Sequence, residues 1–410
     1  MLKAIQAIQA TLTLRMCMKG TKEPKVDFEE SVEVEGSGTM DETAAPKSQG
    51  FNLVRRTVLR KILPLPNHSQ NSLRVIHCWS DSKVRQCRLN VGAMLFNKNP
   101  GKGIDYLNSH RLVADGSPWA VSRFLRTSKE LNKAVIGEFL CELSKPFNQE
   151  TLCCFVNALD FRGQPIDIAL RKLHQKARFP GELAKILAVL DVFIKRYSEC
   201  NKAFAAKFGC QNMVFHLSYA IWMLGVLPSL NPCEPEDFIE DLRSRDGGMA
   251  LDKCLLRSIF GRVKANPFTQ DADPTSKIAG VEKAIRGIPA GNLTESARFV
   301  SFFRFDLLTN IFCKAKKCSI FVFNNTLIVC KMDGAEEVTH NYMFCVPLDN
   351  IRMFRTARCD FGVQLSDSLT GKNFATFNVH SQEVQIQFME TLQELMDERV
   401  EYKKAQTIGI

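Results

Sequence analysis

A single glutamate is placed where its carboxylate can be presented to another molecule. Glu182 follows Pro180 and Gly181 at the start of a helix that the apolar spacing predicts over residues 181–197. Glycine lets a partner approach the backbone closely, and a carboxylate is favoured near the positive end of a helix. An ordinary acid in a first turn shows the same local pattern, so the surrounding residues have to decide between a displayed and a merely structural carboxylate.

Other kinds of chemistry lack their usual patterns. His174 and His216 have no nucleophile pattern beside them, and neither a P-loop nor a dinucleotide-binding fingerprint occurs. The 15 cysteines are scattered and form no CxxC pair followed by a second pair or by spaced histidines. We therefore expect reduced thiols, no metal site, no cofactor and no covalent catalysis.

Composition limits the protein class. The 410 residues carry 54 Lys and Arg against 44 Asp and Glu, and 45% of them are hydrophobic, which predicts two or three domains with cores. No apolar run is long enough for a transmembrane helix, so we expect a cytoplasmic protein. The 29 Phe, 5 Tyr and 3 Trp form no aromatic platform between basic residues, so nucleic acid is not expected as a partner.

The pattern of the chain changes three times. Residues 1–80 are predicted to be largely disordered, with a basic patch formed by Arg55, Arg56, Arg60 and Lys61 that is either solvated or placed on anionic lipid. Residues 83–265 repeat apolar side chains at helical spacing, with breaks at Pro and Gly, and predict an all-α domain. Residues 266–290 read as a linker with one short helix at 277–285.

Residues 291–405 predict a second domain of a different class. Seven segments rich in Val, Ile, Phe and Thr read as strands, and a helix from Ser381 to about Tyr402 carries an apolar stripe. The predicted strands are 299–305, 319–323, 326–332, 341–347, 351–356, 362–366 and 374–379. This order of a β-barrel or sandwich capped by a C-terminal helix is similar to the pleckstrin-homology (PH) architecture.

The helical region resembles a known family. The segments 161–171 and 178–186 are similar to the first signature of the Sec7 domain, the catalytic module of guanine-nucleotide exchange factors for ARF GTPases. The segments 95–107 and 136–140 resemble the opening helices of that domain. With the PH-like region, the chain is most similar to the brefeldin-resistant exchange factors that combine an IQ motif with Sec7 and PH domains.

The resemblance implies a site and a partner. Glu182 takes the position of the glutamic finger, a carboxylate that enters the Mg²⁺ and β-phosphate site of an ARF-family GTPase and weakens nucleotide binding. An apolar groove beside it would receive the GTPase, although core packing explains the stripe on its helix equally well. The groove residues that we expect are Phe179, Pro180, Gly181, Phe215, Tyr219, Met223 and Asn231.

The second signature of the family departs in this chain. After Met223 and Leu224, the residues Gly225 and Val226 stand where the family has Asn and Thr, and Asn231 follows one position late. Lost interface hydrogen bonds of about 1–3 kcal/mol each would weaken association. We therefore expect weak, altered or absent exchange activity, and the alternative is a Sec7–PH scaffold that binds ARF and phosphoinositides without catalysis.

The PH-like region implies a lipid partner. Members of this class bind phosphoinositides with basic residues of the first strands, which predicts a protein peripherally associated with anionic membranes. A solvated basic loop is the alternative. The candidate lipid-binding residues are Arg298, Arg304, Lys314, Lys316, Lys317 and Lys331. An IQ remnant at Ile8 and Gln9 lacks most of the basic residues that should follow it, so calmodulin binding is not expected.

Overall fold

The described residues belong to one compact unit, Ser69–Ile410. The computed structural model describes residues 81–407, except for 204–210, 227–233, 246–251, 270, 290, 292, 294–296, 309–314, 334–338 and 358. The predicted N-terminal region, with its basic patch and IQ remnant, lies outside the described residues.

The described residues of the first domain form helices and connecting turns without a strand, as the apolar spacing predicted. Prolines open several of them, because a proline lacks the N–H that a first-turn residue would leave unpaired. The helices are α1 (Asp81–Lys98), α2 (Pro100–Ser109), α3 (Pro118–Thr127), α4 (Lys133–Leu140), α5 (Pro146–Asn157), α6 (Ile166–Lys176), α7 (Leu183–Cys200), α8 (Gln211–Val226), α9 (Pro235–Arg245) and α10 (Lys253–Ala265). This arrangement confirms the predicted all-α class.

Helix α7 holds the start of the candidate site in place. Its apolar residues recur three or four positions apart, so they share one face. Ile186, Val189, Leu190, Phe193 and Tyr197 are all buried in the core of the helical domain. The helix is therefore anchored along its length, and the N-terminal end that carries Glu182 is fixed relative to α6 and α8.

The second domain is a strongly bent antiparallel sheet. Its strands are β1 (Ile285–Arg286), β2 (Phe299–Leu307), β3 (Lys316–Phe323), β4 (Thr326–Asp333), β5 (Thr339–Pro347), β6 (Ile351–Thr356), β7 (Gly362–Asp367) and β8 (Asn373–Asn378). The strand order is β1-β5-β4-β3-β2-β8-β7-β6, and β1 alone pairs in parallel. The end of β2 joins the strands β1 to β5 to the strands β6 to β8, because Asp306 pairs with Asn378 and Leu307 with Phe377.

The C-terminal helix α12 (Gln382–Thr407) closes this sheet. Phe388, Leu392 and Leu395 are buried against the inner face, as the predicted stripe requires. The Ser381 hydroxyl accepts a hydrogen bond from the amide of Val384, which confirms Ser381 as the N-cap. The predicted PH-like architecture with a C-terminal helix is confirmed.

The far end of α12 packs on the helical domain. Ala405 lies in an apolar cluster with Val91, Leu95 and Tyr106, and the Tyr106 hydroxyl donates to Glu401 at 3.1 Å. Glu398 is buried in this contact. It accepts hydrogen bonds from Asn90 at 2.6 Å and from Arg298 at 2.6 Å, so buried polar groups as well as apolar ones join the two domains.

The connection between the domains contains a helix and a short strand that both contact the sheet. Helix α11 (Pro274–Ala284) begins at Asp273 with a capping box, and Ile278 and Val281 contact an apolar cluster on the outer face of the sheet. Strand β1 follows at once and pairs with β5. The sequence analysis predicted the helix but missed this strand, because two residues are too few to show a period.

Candidate functional site

Glu182 lies at the surface, at the entry to α7. It is the N-cap residue of that helix, yet its side chain makes no capping hydrogen bond. The side chain is 69% exposed. The carboxylate is therefore neither buried nor used to cap the helix, and it lies where a partner could reach it.

Lys185 is the neighbour that neutralises Glu182. Its ammonium lies 2.9 Å from the Glu182 carboxylate and 3.3 Å from that of Glu138. The hydrogen bond to Glu182, followed by that to Glu138, raises the pKa of Lys185. Exposed ion pairs of this kind exchange readily for other partners. Breaking the ion pair between Glu182 and Lys185 should therefore cost little free energy.

The loop before Glu182, residues 178–182, is called here the finger loop, and α4 holds its base. The amide of Arg178 donates to the carbonyl of Lys133 at 2.9 Å. At Gly137 an added Cβ would lie 1.8 Å from the Arg178 carbonyl oxygen, so only glycine permits this contact. The predicted family segment 136–140 thus has a local reason for its glycine.

Phe179 anchors the finger loop in an aromatic cluster. It is buried, and its ring centroid lies 5.8 Å from that of Trp222 on α8 and 6.3 Å from that of His174 on α6. Phe268 completes the cluster, with its centroid 5.9 Å from that of His174. The cluster therefore ties the finger loop to both of the helices that flank it.

His174 is held neutral inside this cluster. Burial, with a smaller contribution from the charge of Arg178, lowers its pKa to about 4. A buried imidazole without charge packs like an aromatic ring. His174 consequently supports the site from below and takes no part in acid or base chemistry.

The apolar stripe predicted for the groove lies on α8. Phe215, Tyr219 and Met223 are each only partly buried, whereas their neighbours Leu217 and Trp222 are in the core. The rings of Phe215 and Tyr219 are nearly parallel, at 9° with centroids 6.5 Å apart. An apolar strip therefore reaches the surface on the same helix whose Trp222 contacts Phe179. The predicted residue Asn231 lies outside the described residues.

Gly225 ends this stripe in a way that sequence analysis did not foresee. A Cβ there would lie 2.9 Å from the ring of Phe268, and the Phe268 amide donates to the Gly225 carbonyl at 2.9 Å. The space of a side chain is thus filled by Phe268. The departure from the family pattern was visible in the sequence, but the residue that fills it is 43 positions away in the chain and has no local signal.

Arg298 is enclosed in the contact between the domains. Its side chain is 12% exposed and pairs with Glu398 at 2.6 Å and Glu130 at 3.7 Å. Its guanidinium is already paired with two carboxylates, so this placement argues against the predicted role in lipid binding. Strand alternation alone could not reveal the partners, because Glu398 comes from α12 and Glu130 from the turn between α3 and α4, both far away in the chain.

The remaining basic candidates divide between two faces of the sheet. Lys316 and Lys331 have the same strand parity as the inward residues Cys318 and Val329, and both are exposed where the strands end. Lys317 has the opposite parity, like Arg304, which lies exposed over the ring of Phe302 at 5.5 Å. The six predicted residues therefore do not form one site, and Lys314 lies outside the described residues.

The described part of the chain lacks two further features, a metal-binding cluster and a membrane-spanning helix. It contains no group of three or more His, Cys, Asp and Glu placed to hold a metal ion. In the same residues, no helix combines the length and the apolar character needed to cross a bilayer.

Similar proteins share the helical domain. The chain is 33% identical to the uncharacterized protein C211.03 of Schizosaccharomyces pombe over 193 residues, covering 45% of this chain and 13% of that one. It is 31% identical to the Brefeldin A-inhibited guanine nucleotide-exchange protein 2 of Arabidopsis thaliana, covering 47% and 11%. Human Cytohesin-4 is 29% identical, covering 53% and 57%. The matched part of the chain thus spans from about a tenth to about three fifths of the length of these relatives.

Solved structures show the same likeness in sequence. The crystal structure of the Sec7p catalytic domain is 29% identical, with a TM-score of 0.41, and the match covers 44% of this chain and 97% of that one. The structure of ARF1-GDP bound to a Sec7 domain complexed with Brefeldin A is 26% identical, with a TM-score of 0.41, covering 46% and 96%.

Two family matches cover most of the described residues. Residues 85–268 match the Sec7 domain, and residues 310–407 match the PH domain of the IQ_SEC7_PH family. Together the matches span more than half of the chain. The protein therefore contains a Sec7 domain and, behind it, a PH domain of the IQ_SEC7_PH type.

Proposed function

We propose that this chain promotes the release of GDP from an ARF-family GTPase and that Glu182 supplies the glutamic finger. One observation carries the proposal: an exposed carboxylate stands on a loop that is anchored against the helix bearing the apolar stripe. The names of the related exchange proteins support nucleotide exchange as the activity.

The proposed mechanism is electrostatic. A GTPase holds its nucleotide through Mg²⁺ and a lysine that neutralise the phosphates. A second negative group brought within a few ångströms repels the β-phosphate, on the order of a thousandfold in nucleotide affinity. By linkage, the nucleotide-free GTPase binds this chain more tightly by the same factor. Glu182 provides the charge, and the α8 stripe provides the apolar contact that holds the GTPase in place.

A scaffold without exchange activity is the second candidate. It is favoured by Gly225 and Val226, which offer no side-chain hydrogen bond where the family has polar residues, and by the Phe268 ring that covers Gly225. In that case ARF would bind to the stripe without losing its nucleotide.

A release assay separates the two candidates. The full chain is mixed with an ARF GTPase loaded with fluorescent GDP, and the rate of release is compared with Glu182→Lys and with Glu138→Lys. Both variants reverse a charge beside Lys185, and the Glu138 side chain is 62% exposed, so the control matches in chemistry and position. Exchange requires that the wild type and Glu138→Lys accelerate release and that Glu182→Lys does not. Binding without release in all three proteins supports the scaffold.

We further propose that the PH domain associates peripherally with anionic membranes through Lys316 and Lys331. Both cations lie exposed at the same end of the sheet, on neighbouring strands. Converging cations are the usual device for binding phosphate groups, including phosphoinositide headgroups. Reversing the charge at Lys316 tests this proposal, as described below.

A further inference from the structure

The segment that leaves the Sec7 domain is bound along α6. We call the described residues 266–269 and 271–275 the strap. The Arg171 guanidinium donates to the carbonyls of Asn266 at 2.5 Å and Pro267 at 3.0 Å. Further along, the amide of Asp271 donates to the Gln175 carbonyl at 3.0 Å. A segment with this many backbone contacts has a fixed path.

Phe268 is the side chain by which the strap reaches the groove. Its backbone N–H bonds the Gly225 carbonyl, and its ring fills the space beside the Gly225 Cα. The same ring contacts His174, and the Arg171 guanidinium lies 4.9 Å from its centroid. Phe268 therefore contacts the C-terminal end of α8 and the aromatic cluster under Phe179 at the same time.

The other end of the strap supports the finger loop from α4. The Asp273 carboxylate accepts a hydrogen bond from the Lys133 amide at 3.3 Å, and Asn132 donates to Thr275 at 3.0 Å. The Lys133 carbonyl is the acceptor for the Arg178 amide. Both sides of the finger loop are thus fixed to elements that the strap holds.

We propose that Phe268 is a positioning residue for nucleotide exchange: it sets the finger loop and the end of α8 at their working separation. The inference rests on the proposed exchange function and deepens it. In this chain, the ring of Phe268 fills the space that a side chain at position 225 of α8 would occupy. The strap continues into α11 and β1, so the groove is built from residues on both sides of the Sec7 boundary.

The first test compares Phe268→Ala with Phe260→Ala in the release assay. Both phenylalanines are 7% exposed, and both have a cation over the ring, but Phe260 packs against Phe238 on α9. At a temperature where all variants are folded, Phe268→Ala should slow release at least about tenfold and Phe260→Ala by less than about threefold. Phe268→Leu, which restores volume, should recover most of the loss. Equal losses in the two Ala variants, or faster release by Phe268→Ala, would overturn the proposal.

A second test uses the Gly225 contact. Gly225→Ala should displace the Phe268 ring and slow release about tenfold, and Gly225→Ala combined with Phe268→Ala should be no slower than either single variant. Multiplied losses in the double variant would mean that the two residues act independently, against the proposal.

A third test does not depend on exchange activity. Hydrogen exchange of the full chain, without GTPase, reports the protection of the Arg178 amide, which bonds Lys133. Phe268→Ala should lower that protection at least about tenfold, whereas Phe260→Ala should leave it unchanged. If the wild type releases no nucleotide, the proposed function fails, and this measurement alone judges the positioning role. Unchanged protection in Phe268→Ala would refute it.

Discussion

The groove and the contact between the two domains differ in the burial of their charged side chains. Glu182 in the groove is 69% exposed and pairs with Lys185, while His174, which packs against Phe179 of the finger loop, is buried and neutral. Glu398 in the contact between the domains is 7% exposed and is bound by Arg298. One region keeps its charge at the surface, and the other encloses it.

This difference separates a site from a structural joint. A surface pair is easily exchanged for another partner, whereas a buried carboxylate becomes costly as soon as its cation is lost. Burial raises the pKa of Glu398, with Arg298 opposing this. We infer that the groove charge is left for a ligand and that the charges of the contact serve to hold the PH domain on the Sec7 domain.

The largest effect is expected from Arg298→Ala. The change leaves Glu398 buried without its cation, which typically costs about 3–5 kcal/mol of the free energy of unfolding. Urea unfolding measures this loss. Arg162→Ala breaks an equally short pair, with Asp160 at 2.7 Å, but at the surface, and should leave the midpoint almost unchanged. If both variants lose the same stability, the contrast between the regions is wrong.

The next effect is a pH dependence that originates under the groove. His174 has a pKa of about 4 in the folded chain against about 6.5 when unfolded. Between these values the unfolded chain binds a proton that the folded one does not. Stability should therefore fall as the pH is lowered from 6.5 to 4, by about 3 kcal/mol, and should be fully present above 6.5. Unfolding of His174→Gln should show a flatter profile over this range, and an unchanged slope would contradict the assignment.

A smaller effect concerns charge left at the surface of the sheet. Lys316→Glu should weaken binding to liposomes with anionic lipid by about ten- to thirtyfold, since each basic residue near such a surface contributes about 1 kcal/mol. Lys317→Glu, its neighbour of opposite strand parity, should weaken it by less than about threefold. Co-sedimentation with and without anionic lipid measures both. Equal losses would place the binding surface elsewhere.

The smallest effect is expected at Lys185. Its bonds to Glu182 and Glu138 are exposed, so Lys185→Gln should change the rate of GDP release by less than about threefold and hardly shift the melting temperature. The same release assay and a thermal melt check this. A loss comparable to that of Glu182→Lys would show that the ion pair, and not the free carboxylate, is what the site needs.

Periodic patterns made most of the fold predictable. Segments rich in Val, Ile, Phe and Thr predicted the seven strands to within a few residues, because such side chains pack well in the buried faces of a sheet. The stripe on α12 was found for the same reason. The sequence patterns did not predict long-range contacts. The two-residue strand β1 and the packing of α12 on α1 both depend on residues that are far apart in the chain.

The candidate site was predictable where its residues are consecutive. Glu182 and its finger loop follow from one short segment, and the structure exposes the carboxylate as that segment implies. Phe268 and the burial of Arg298 were out of reach, because each depends on partners from other elements. A basic residue at a strand start looks the same in sequence whether it faces lipid or a buried glutamate.

The most direct measurement is the rate of GDP release from an ARF GTPase with Glu182→Gln. This variant keeps the shape of the side chain and removes only its charge. We predict a rate at least about a hundredfold below that of the wild type, with an unchanged melting temperature, because the repulsion of the β-phosphate is lost. A folded Glu182→Gln variant that releases GDP as fast as the wild type would contradict the account.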